Sequence, residues 1–477
     1  MRPARWAAFL LVLLLTGCAG GSSSPSRSPS SSAPPSTAVS PTSTARGVAD
    51  WTTYHGDAAR SGVLRGAPLT GFQPAVTHQD WQTGQLDGDV YASPIVASGL
   101  VVVATENDTV YAFDATAGGQ AKQVWKRHLA EPVDASTLPC GGIRPVSGIT
   151  STPVADPGRD VLYVVGFVRP AQHLLFTLKL STGDLQGSRP VDASGESPRT
   201  HQQRGALALA NGYVYIPFGG LLGDCGQYHG RVLGVPVDGG DLIQYQTSCS
   251  RECAIWAPGG PTVDGSGDIW VATGNGEPFD RFTAGNAVLR LPPGLGKPRD
   301  YFAPSDWAEL SRSDQDLGSI SPILLDHGLV WISGKGSTGY LLRQEHLGGV
   351  GGQAFKGDVC PSFASAIASG DVVFVTCPED GRLMALRVDA GRPSFSQAWQ
   401  AQRNAPGAPI LAFGALWVID TGDGSLAALD PGNGNTTLFS LPGHGATPHF
   451  VTPAAASGHI YAALGRRLVA VSTGSSG

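Results

Sequence analysis

The chain has 477 residues, among them 65 glycines and 36 prolines, and carries a formal net charge of −6. With neither a basic excess nor a basic patch, the composition argues against nucleic acid as a partner. Short apolar runs between clusters of Gly, Asp, Asn and Pro favour an all-β protein over a helical one.

Residues 1–17 are typical of an export signal. Two arginines precede the apolar run Ala7–Leu15, which is too short to span a bilayer. Residues 15–18 (LTGC) resemble the bacterial lipobox, which implies cleavage before Cys18 and lipidation of its thiol; the alternative is an ordinary signal peptide with a chance cysteine. We expect an exported lipoprotein, anchored through Cys18 to the outer face of the bacterial cytoplasmic membrane or to a periplasmic membrane face.

The segment after Cys18 has the composition of a disordered tether. From residue 19 to residue 46 it is almost entirely Ser, Pro, Thr, Gly and Ala, which cannot bury a core. We assign residues 18–48 to this tether and residues 49–477 to the folded domain. No later stretch is long and apolar enough to be predicted to cross a membrane.

Six cysteines follow Cys18, and an even number in an exported chain predicts disulfides. Short sequence separation favours two local pairs, which leave a third, so that the predicted pairs are Cys249–Cys253, Cys360–Cys377 and Cys140–Cys225. A zinc site with Cys225 and His229 as ligands is the alternative. It is disfavoured because thiols outside the cytosol usually oxidise.

One pattern recurs eight times in the folded domain. A hydrophobic strand ends in a small or acidic turn with glycine, and an extended run follows, sometimes with tryptophan. In the late copies the glycines are about 40–43 residues apart, a period expected for four-stranded propeller blades. The copies are Thr109–Gly118, Phe176–Gly183, Leu233–Gly239, Val288–Gly294, Tyr340–Gly348, Leu383–Gly391, Leu426–Gly434 and Leu468–Gly474.

Eight small, apolar segments lie between these copies and suit inner strands crowded towards a channel axis. They are Ser93–Val96, Thr152–Val154, Gly205–Ala208, Gly260–Val263, Ser321–Leu324, Ser362–Ala366, Ala408–Leu411 and Pro453–Ala456. The sequence therefore predicts an all-β, eight-bladed β-propeller. Because the last copy leaves no room for an outer strand, Val76–Thr83 with Trp81 is predicted to supply it and close the ring.

Between residues 256 and 335, polar side chains sit at the ends of short β-rich runs. Asn275 ends one strand, Asp316 lies in an acidic turn, and Lys335 follows the next hydrophobic strand. In a propeller such ends gather around the channel on one face, where with Trp256 they could hold a flat, charged cofactor and a metal ion. Local turn chemistry is the alternative explanation for Asn275 and Asp316, because Asn, Asp and Gly dominate turns.

The unit Tyr-Ala-hydrophobic-Asp…Gly…Trp, clearest at residues 111–125, resembles the tryptophan-docking repeat of the pyrroloquinoline-quinone (PQQ) propellers. The opening Trp51–Gly62 resembles the lead-in that many such proteins share. The resemblance covers essentially residues 49–477 and implies the fold of the quinoprotein alcohol dehydrogenases. It leaves the function open, because the superfamily also includes non-catalytic lipoproteins that scaffold outer-membrane barrel assembly.

In the quinoprotein alcohol dehydrogenases, a tryptophan under PQQ precedes a Thr-Gly-Asn-Gly strand end whose Asn binds calcium; Trp256 and Asn275 match these positions. The resemblance further implies Asp316 as the catalytic base and Lys335 as the contact to the quinone oxygens. Asp224 would be the acidic calcium ligand. The implied cofactors are PQQ and calcium, and the implied reaction is oxidation of an alcohol or sugar hydroxyl.

The sequence also departs from this family. The adjacent Cys-Cys pair that covers PQQ is absent near Cys140, Asp224 stands in place of a Glu, and no Cys-x-x-Cys-His site for covalent haem is present. The acidic turn lacks its usual aromatic neighbours, so that Asp314 and Asp306 remain alternatives to Asp316.

Two hypotheses follow. A PQQ- and calcium-dependent dehydrogenase requires Trp256, Asn275, Asp316 and Lys335 to converge at the channel mouth, with Asp224 close enough to share a metal. A non-catalytic propeller that binds an envelope protein partner predicts instead that these side chains diverge or that the channel is plugged.

Overall fold

The computed structural model describes residues 50–64, 72–192 and 194–474. The predicted signal peptide, Cys18 and the tether lie outside these ranges. Within them, no helix is long and apolar enough to cross a membrane.

Eight antiparallel sheets form a ring of blades, as the sequence predicts, and we number them 1 to 8 by the chain order of their inner strands. From inner to outer edge, the strands of blades 1 to 4 are Ile95–Ala97, Leu100–Thr105, Thr109–Asp114 and Gln123–His128; Val154–Asp156, Val161–Val168, Gln172–Lys179 and Leu185–Pro190; Ala208–Ala210, Tyr213–Gly220, Arg231–Pro236 and Ile243–Gln246; and Thr262–Val263, Ile269–Ala272, Val288–Leu291 and Asp300–Ala303.

The other half of the ring repeats this arrangement. The strands of blades 5 to 8 are Ile323–Leu324, Leu329–Ile332, Thr338–Arg343 and Phe355–Asp358; Ile367–Ser369, Val372–Cys377, Arg382–Asp389 and Ser394–Gln402; Ile410–Ala412, Ala415–Asp420, Ser425–Leu429 and Thr437–Leu441; and Ala454–Ala456, His459–Leu464, Arg467–Ser472 and His78–Gln82. Each of the eight predicted repeat copies supplies the third strand of one blade.

Short elements occupy the connections between and within blades. The single α-helix of the described ranges is Trp307–Arg312, and the 3-10 helices are Pro74–Val76, Ala135–Thr137, Pro157–Arg159, Pro198–Thr200, Leu317–Ser319 and Asp326–Gly328. Apart from the four strands given for each blade, the two-residue strands are Val133–Asp134, Val146–Ser147, His201–Gln202, Arg251–Glu252, Gly276–Glu277 and Gly349–Val350.

The inner strands begin later than predicted in all eight blades; in blade 6, for example, the strand starts at Ile367, beyond the predicted segment. The reason is that residues ahead of these strands bond to neighbouring blades through side chains. The Ser93 amide donates to Thr152 Oγ1 (2.9 Å), and the Thr452 amide donates to Ser93 Oγ (3.0 Å). Such bonds replace strand pairing near the axis at these positions.

Strand His78–Gln82 closes the ring, as predicted. It pairs antiparallel with Arg467–Ser472, with His78 opposite Ser472. The Trp81 indole then donates a hydrogen bond to the Ala117 carbonyl of blade 1 (2.9 Å). One blade therefore combines strands from both ends of the folded domain, and the long edge of an open sheet is removed.

Outer-strand tryptophans join adjacent blades. The Trp125 indole of blade 1 donates to the Leu180 carbonyl of blade 2 (2.9 Å), and that of Trp399 in blade 6 donates to the Pro431 carbonyl of blade 7 (3.0 Å). Each ring packs on a repeat glycine: a Cβ at Gly183 would lie 2.6 Å from the Trp125 ring. The repeat therefore needs glycine both for its positive φ and for this close approach.

The lead-in, residues 51–64, plugs the central channel. Its carbonyls accept hydrogen bonds from inner strands of four blades: from Val96 and Ala155 at 2.9 Å each and from Val263 and Leu411 at 2.8 Å each. Tyr54 packs in a buried cluster with alanines that precede the inner strands of blades 3, 6 and 7. A side chain that touches both sides of the ring must cross its axis.

Arg60 fixes the lead-in in place although it is a charged residue only 1% exposed. Its guanidinium donates to the Leu207 carbonyl (2.9 Å), the Pro261 carbonyl (3.1 Å) and Thr53 Oγ1 (3.0 Å). Burial lowers the pKa of Arg60 to about 10, so it remains charged near neutral pH.

The three predicted disulfides are all present, as Cys140–Cys225, Cys249–Cys253 and Cys360–Cys377. The alternative zinc site is wrong, because the Cys225 sulfur is bonded to Cys140 and the His229 ring contacts Glu196 instead. The Cys140–Cys225 bond joins the connection between blades 1 and 2 to the loop that interrupts blade 3.

Candidate functional site at the channel mouth

Blades 4 and 5 bring four of the predicted site residues together at one mouth of the channel. Asn275 follows the second strand of blade 4, and Lys335 follows the second strand of blade 5. Asp316 immediately precedes the 3-10 helix that leads into blade 5, and Trp256 lies in the connection from blade 3 to blade 4. Convergence of these residues is what the dehydrogenase hypothesis requires.

Asp316 and Lys335 form a direct ion pair. The Lys335 ammonium lies 2.6 Å from Asp316 Oδ2, and the Asn275 amide donates to Asp316 Oδ1 at 2.7 Å. The Asp316 residue is only 5% exposed. Burial raises the pKa of the Asp316 carboxyl, although the positive charge of Lys335 acts to lower it. Burial alone would lower the pKa of Lys335, but the carboxylates of Asp316 and Asp314 outweigh it and raise that pKa.

Asp314 extends this ion pair towards solvent. Its Oδ1 lies 2.9 Å from the Lys335 ammonium and accepts a hydrogen bond from the Asn275 side-chain amide (2.7 Å). Asp306, the other alternative in the sequence, is exposed at the start of the α-helix and takes no part in these bonds. Asp316 is the buried member of the acidic turn.

Asn286 is a residue of this cluster that sequence reasoning missed. It is fully buried, and its side-chain amide donates to Ser311 Oγ (3.0 Å) and to Asn275 Oδ1 (3.4 Å). Its own oxygen accepts from the Leu317 amide (2.6 Å), so it ties the blade 4 loop to the 3-10 helix. The sequence holds one signal for it, an isolated polar residue directly before an apolar strand.

Trp256 is contacted on more than one side. The Lys335 ammonium lies 5.5 Å from the centroid of its ring, and the Phe450 ring meets it edge-on at 6.3 Å. Gly274, in the Thr-Gly-Asn-Gly strand end, passes close by: a Cβ there would lie 2.4 Å from Asp316 Oδ1 and 3.1 Å from the Trp256 indole nitrogen. Close packing alone thus requires a glycine at this point of the motif.

Asp224, the predicted acidic calcium ligand, is hydrogen-bonded to another side chain of the protein. Its Oδ1 accepts a hydrogen bond from the Tyr228 hydroxyl, and burial together with this carboxylate raises the pKa of Tyr228. Glu252 lies within electrostatic range of both Asp224 and Asp316. Burial, reinforced by these like charges, raises the pKa of Glu252 to about 7.

The side chains, as arranged, do not fit a PQQ–calcium site. Calcium takes six to eight oxygen ligands. Here both oxygens of Asp316 are bonded to protein donors, and Asp224 Oδ1 and Asn275 Oδ1 each accept a hydrogen bond from protein. Within the described ranges, no group of three or more His, Cys, Asp and Glu side chains could hold a metal ion. The cofactor roles assigned to Trp256 and Lys335 stay predictions.

Comparison with known proteins agrees with this architecture. A family model described as the outer membrane protein assembly factor BamB matches residues 63–277. No curated protein sequence is significantly similar to the chain.

Among solved structures, the chain is similar to the quinohemoprotein alcohol dehydrogenase of Comamonas testosteroni, at 15% identity and a TM-score of 0.66, covering 90% of this chain and 81% of that one. The quinohemoprotein alcohol dehydrogenase ADHIIG of Pseudomonas putida HK5 is 12% identical with a TM-score of 0.64, again covering 90% of this chain and 81% of that one. Sqt1 of Saccharomyces cerevisiae is 10% identical with a TM-score of 0.55, covering 83% of this chain and 99% of that one.

By its fold, the chain is therefore an eight-bladed β-propeller of the type found in the quinohemoprotein alcohol dehydrogenases. The family model matches residues 63–277, and the resemblance to the PQQ-type propellers stated from the sequence is confirmed. At these identities the similarity shows the fold alone, so function must be argued from the site.

Proposed function

We propose that this chain is an exported propeller, tethered to a membrane through Cys18, which binds an envelope protein partner and does not catalyse PQQ-dependent oxidation. The observation that carries the proposal is the closed bonding of the Asp316 carboxylate, with Lys335 on one oxygen and the Asn275 amide on the other. The match to a family named for outer membrane protein assembly supports a scaffolding role.

A general base needs a carboxylate oxygen within hydrogen-bond reach of the proton that it removes. The two bonds on Asp316 are charge-assisted, a class about twice as strong as neutral hydrogen bonds. Separating the pair would leave a buried carboxylate without compensation, which is strongly unfavourable. We therefore assign Asp316 and Lys335 to holding blades 4 and 5 together at the channel mouth.

The plugged channel supports the same assignment. The lead-in fills the axis with Tyr54, and Phe450 packs against Trp256 at the mouth. With its centre filled, the propeller offers its loops and its rim to partners. The sequence places the longest loops in blades 2 to 5.

The second candidate is a PQQ- and calcium-dependent dehydrogenase that oxidises an alcohol or sugar hydroxyl. One observation favours it: Trp256, Asn275, Asp316 and Lys335 converge at one mouth, as that hypothesis requires.

Calorimetry separates the two candidates. The domain of residues 48–477, with its disulfides intact, is titrated with PQQ in calcium and again in chelator. We expect no calcium-dependent, saturable binding. Such binding, abolished by both Asn275→Ala and Trp256→Ala but unaffected by Asn435→Ala at an exposed amide of blade 7, would overturn the proposal in favour of the dehydrogenase.

The tether is tested separately on the full-length precursor expressed in a bacterial host. We expect the wild-type protein in the membrane fraction, with a mass increase from acyl chains on the peptide that begins at Cys18. Cys18→Ser should appear in the soluble exported fraction. Equal membrane association of the two proteins would contradict the lipid anchor. A binding partner should then co-purify with the tagged propeller, and the propeller should co-purify with the tagged partner.

A further inference from the structure

A small cavity lies at the channel axis between the lead-in and the mouth. Its walls include Tyr54 from the lead-in, Tyr91, Thr152, Arg204 and Phe450, and its volume is about 10 Å³. That is roughly the space of one water molecule. Because Arg204 and Tyr91 are both partly exposed, this cavity borders the surface at the channel mouth.

Arg204 contributes a positive charge to the wall of this cavity, and no acidic side chain forms an ion pair with it in the described ranges. Its guanidinium lies over the Phe450 ring, 4.7 Å from the centroid. No hydrogen bond or ion pair joins it to another residue in the part of the chain that the structure describes. A guanidinium carries five N–H donors in a planar fork, so the fork remains free for a ligand.

Hydroxyl groups on the opposite walls also lack acceptors. The Tyr54 residue is 1% exposed, and its hydroxyl lies near that of Ser365 without completing a hydrogen bond to any described residue. Thr152 Oγ1 accepts from the Ser93 amide at 2.9 Å, and no described oxygen accepts the Thr152 hydroxyl proton. Buried polar groups are normally satisfied, so an unpartnered hydroxyl on a cavity wall indicates a missing acceptor.

The nearest acidic group limits the charge that the site can accept. Glu106 lies within electrostatic range of Arg204 but forms no ion pair with it; its Oε2 accepts from the Gly148 amide at 2.7 Å. A singly charged anion is therefore favoured over a dianion. The flat Phe450 face and the narrow cavity favour a planar group, and a guanidinium fork matches a carboxylate in geometry.

We propose that Arg204, Tyr54 and Thr152 form a carboxylate-binding site at the channel mouth, with one carboxylate oxygen in the cavity and the guanidinium of Arg204 as its principal contact. The carboxylate belongs either to a small organic acid or to the C-terminus of a peptide chain. The site does not rest on the proposed function, since it is separate from the Asp316–Lys335 ion pair.

The two sources are distinguished by ligand choice, with the soluble domain of residues 48–477. Acetate is compared with acetamide by saturation-transfer NMR, and a pentapeptide with a free C-terminus is compared with its C-terminal amide by calorimetry. We expect the carboxylate form of at least one pair to bind and its amide to bind at least ten-fold more weakly, because hydrogen bonds between charged groups are the strong ones. The pair that binds identifies the source.

Arg204→Gln should weaken carboxylate binding at least ten-fold, whereas Arg144→Gln, at an exposed arginine, should leave it within two-fold. Arg204→Lys keeps the positive charge but loses the planar fork of donors, so it should bind the carboxylate several-fold more weakly than wild type. This variant tests the proposal if Arg204→Gln does not fold. Absence of binding by both carboxylates, equal binding of the amides, or unchanged affinity in the Arg204 variants would overturn the proposal.

Discussion

Removing the cation from the Asp316–Lys335 pair should destabilise the propeller at neutral pH. In Lys335→Met the Asp316 carboxylate stays buried, with its side chain 8% exposed, and keeps only the Asn275 amide as a partner. Breaking a buried pair by removing one partner typically costs about 3–5 kcal/mol. Since the Lys335 side chain is 28% exposed, we expect the low end, about 3 kcal/mol.

Equilibrium urea unfolding with the disulfides intact measures this cost. Lys126→Met is the matched control, because its pair with Asp87 spans 3.2 Å with both side chains more exposed, and it should cost less than about 1 kcal/mol. The double variant Asp316→Asn/Lys335→Met removes both charges and should recover most of the loss.

The pH dependence gives a further check on the same variant. Without its cation, Asp316 in Lys335→Met should bind a proton more readily in the folded state. The deficit should therefore narrow as the pH falls towards about 4, the ordinary pKa of aspartate. If Lys335→Met costs no more than Lys126→Met, or if its deficit does not change with pH, the structural role assigned to the pair is refuted.

Three further predictions concern the scaffold. Burial raises the pKa of Glu106 from 4.5 to about 7, so the folded state loses stability as the pH rises through that window. Between pH 4.5 and pH 8, the free energy of unfolding of Glu106→Gln should therefore rise by about 3 kcal/mol relative to that of wild type. A difference between the two proteins that does not change with pH would contradict this. Gly183→Ala should cost about 1–3 kcal/mol more than Gly212→Ala, because both have positive φ but only the Gly183 Cβ would strike Trp125; equal urea midpoints would contradict the docking role. Arg60→Met should cost at least about 3 kcal/mol, because it leaves the buried carbonyls of Tyr54 and Pro261 without donors. Urea unfolding within about 1 kcal/mol of wild type would show that the lead-in does not depend on Arg60.

The fold could be predicted because its information is local and repeated. Each blade needs the same strand, turn and glycine, so the eight copies reinforce one another and the missing outer strand could be located at residues 78–82. The starts of the inner strands could not be predicted, because side-chain bonds such as that between Ser93 and Thr152 compete there with strand pairing.

The site could be predicted only in part. Equivalent strand ends share a face of a propeller, which is why Asn275, Asp316 and Lys335 meet as expected. Which polar groups bond to each other depends on side-chain directions that the sequence does not encode locally. The Asp224–Tyr228 bond and the placement of Arg204 over Phe450, across the channel mouth, are of that kind.

The shared blade imposes an order on folding. Residue 78 pairs with residue 472, so the last blade remains incomplete until nearly the whole domain has been synthesised. Contacts of such long range form slowly, because the entropy of closing a large loop is lost before the contact stabilises it. Until then blade 8 exposes an unpaired strand edge, and this is the interval in which the chain is most open to misassembly and proteolysis.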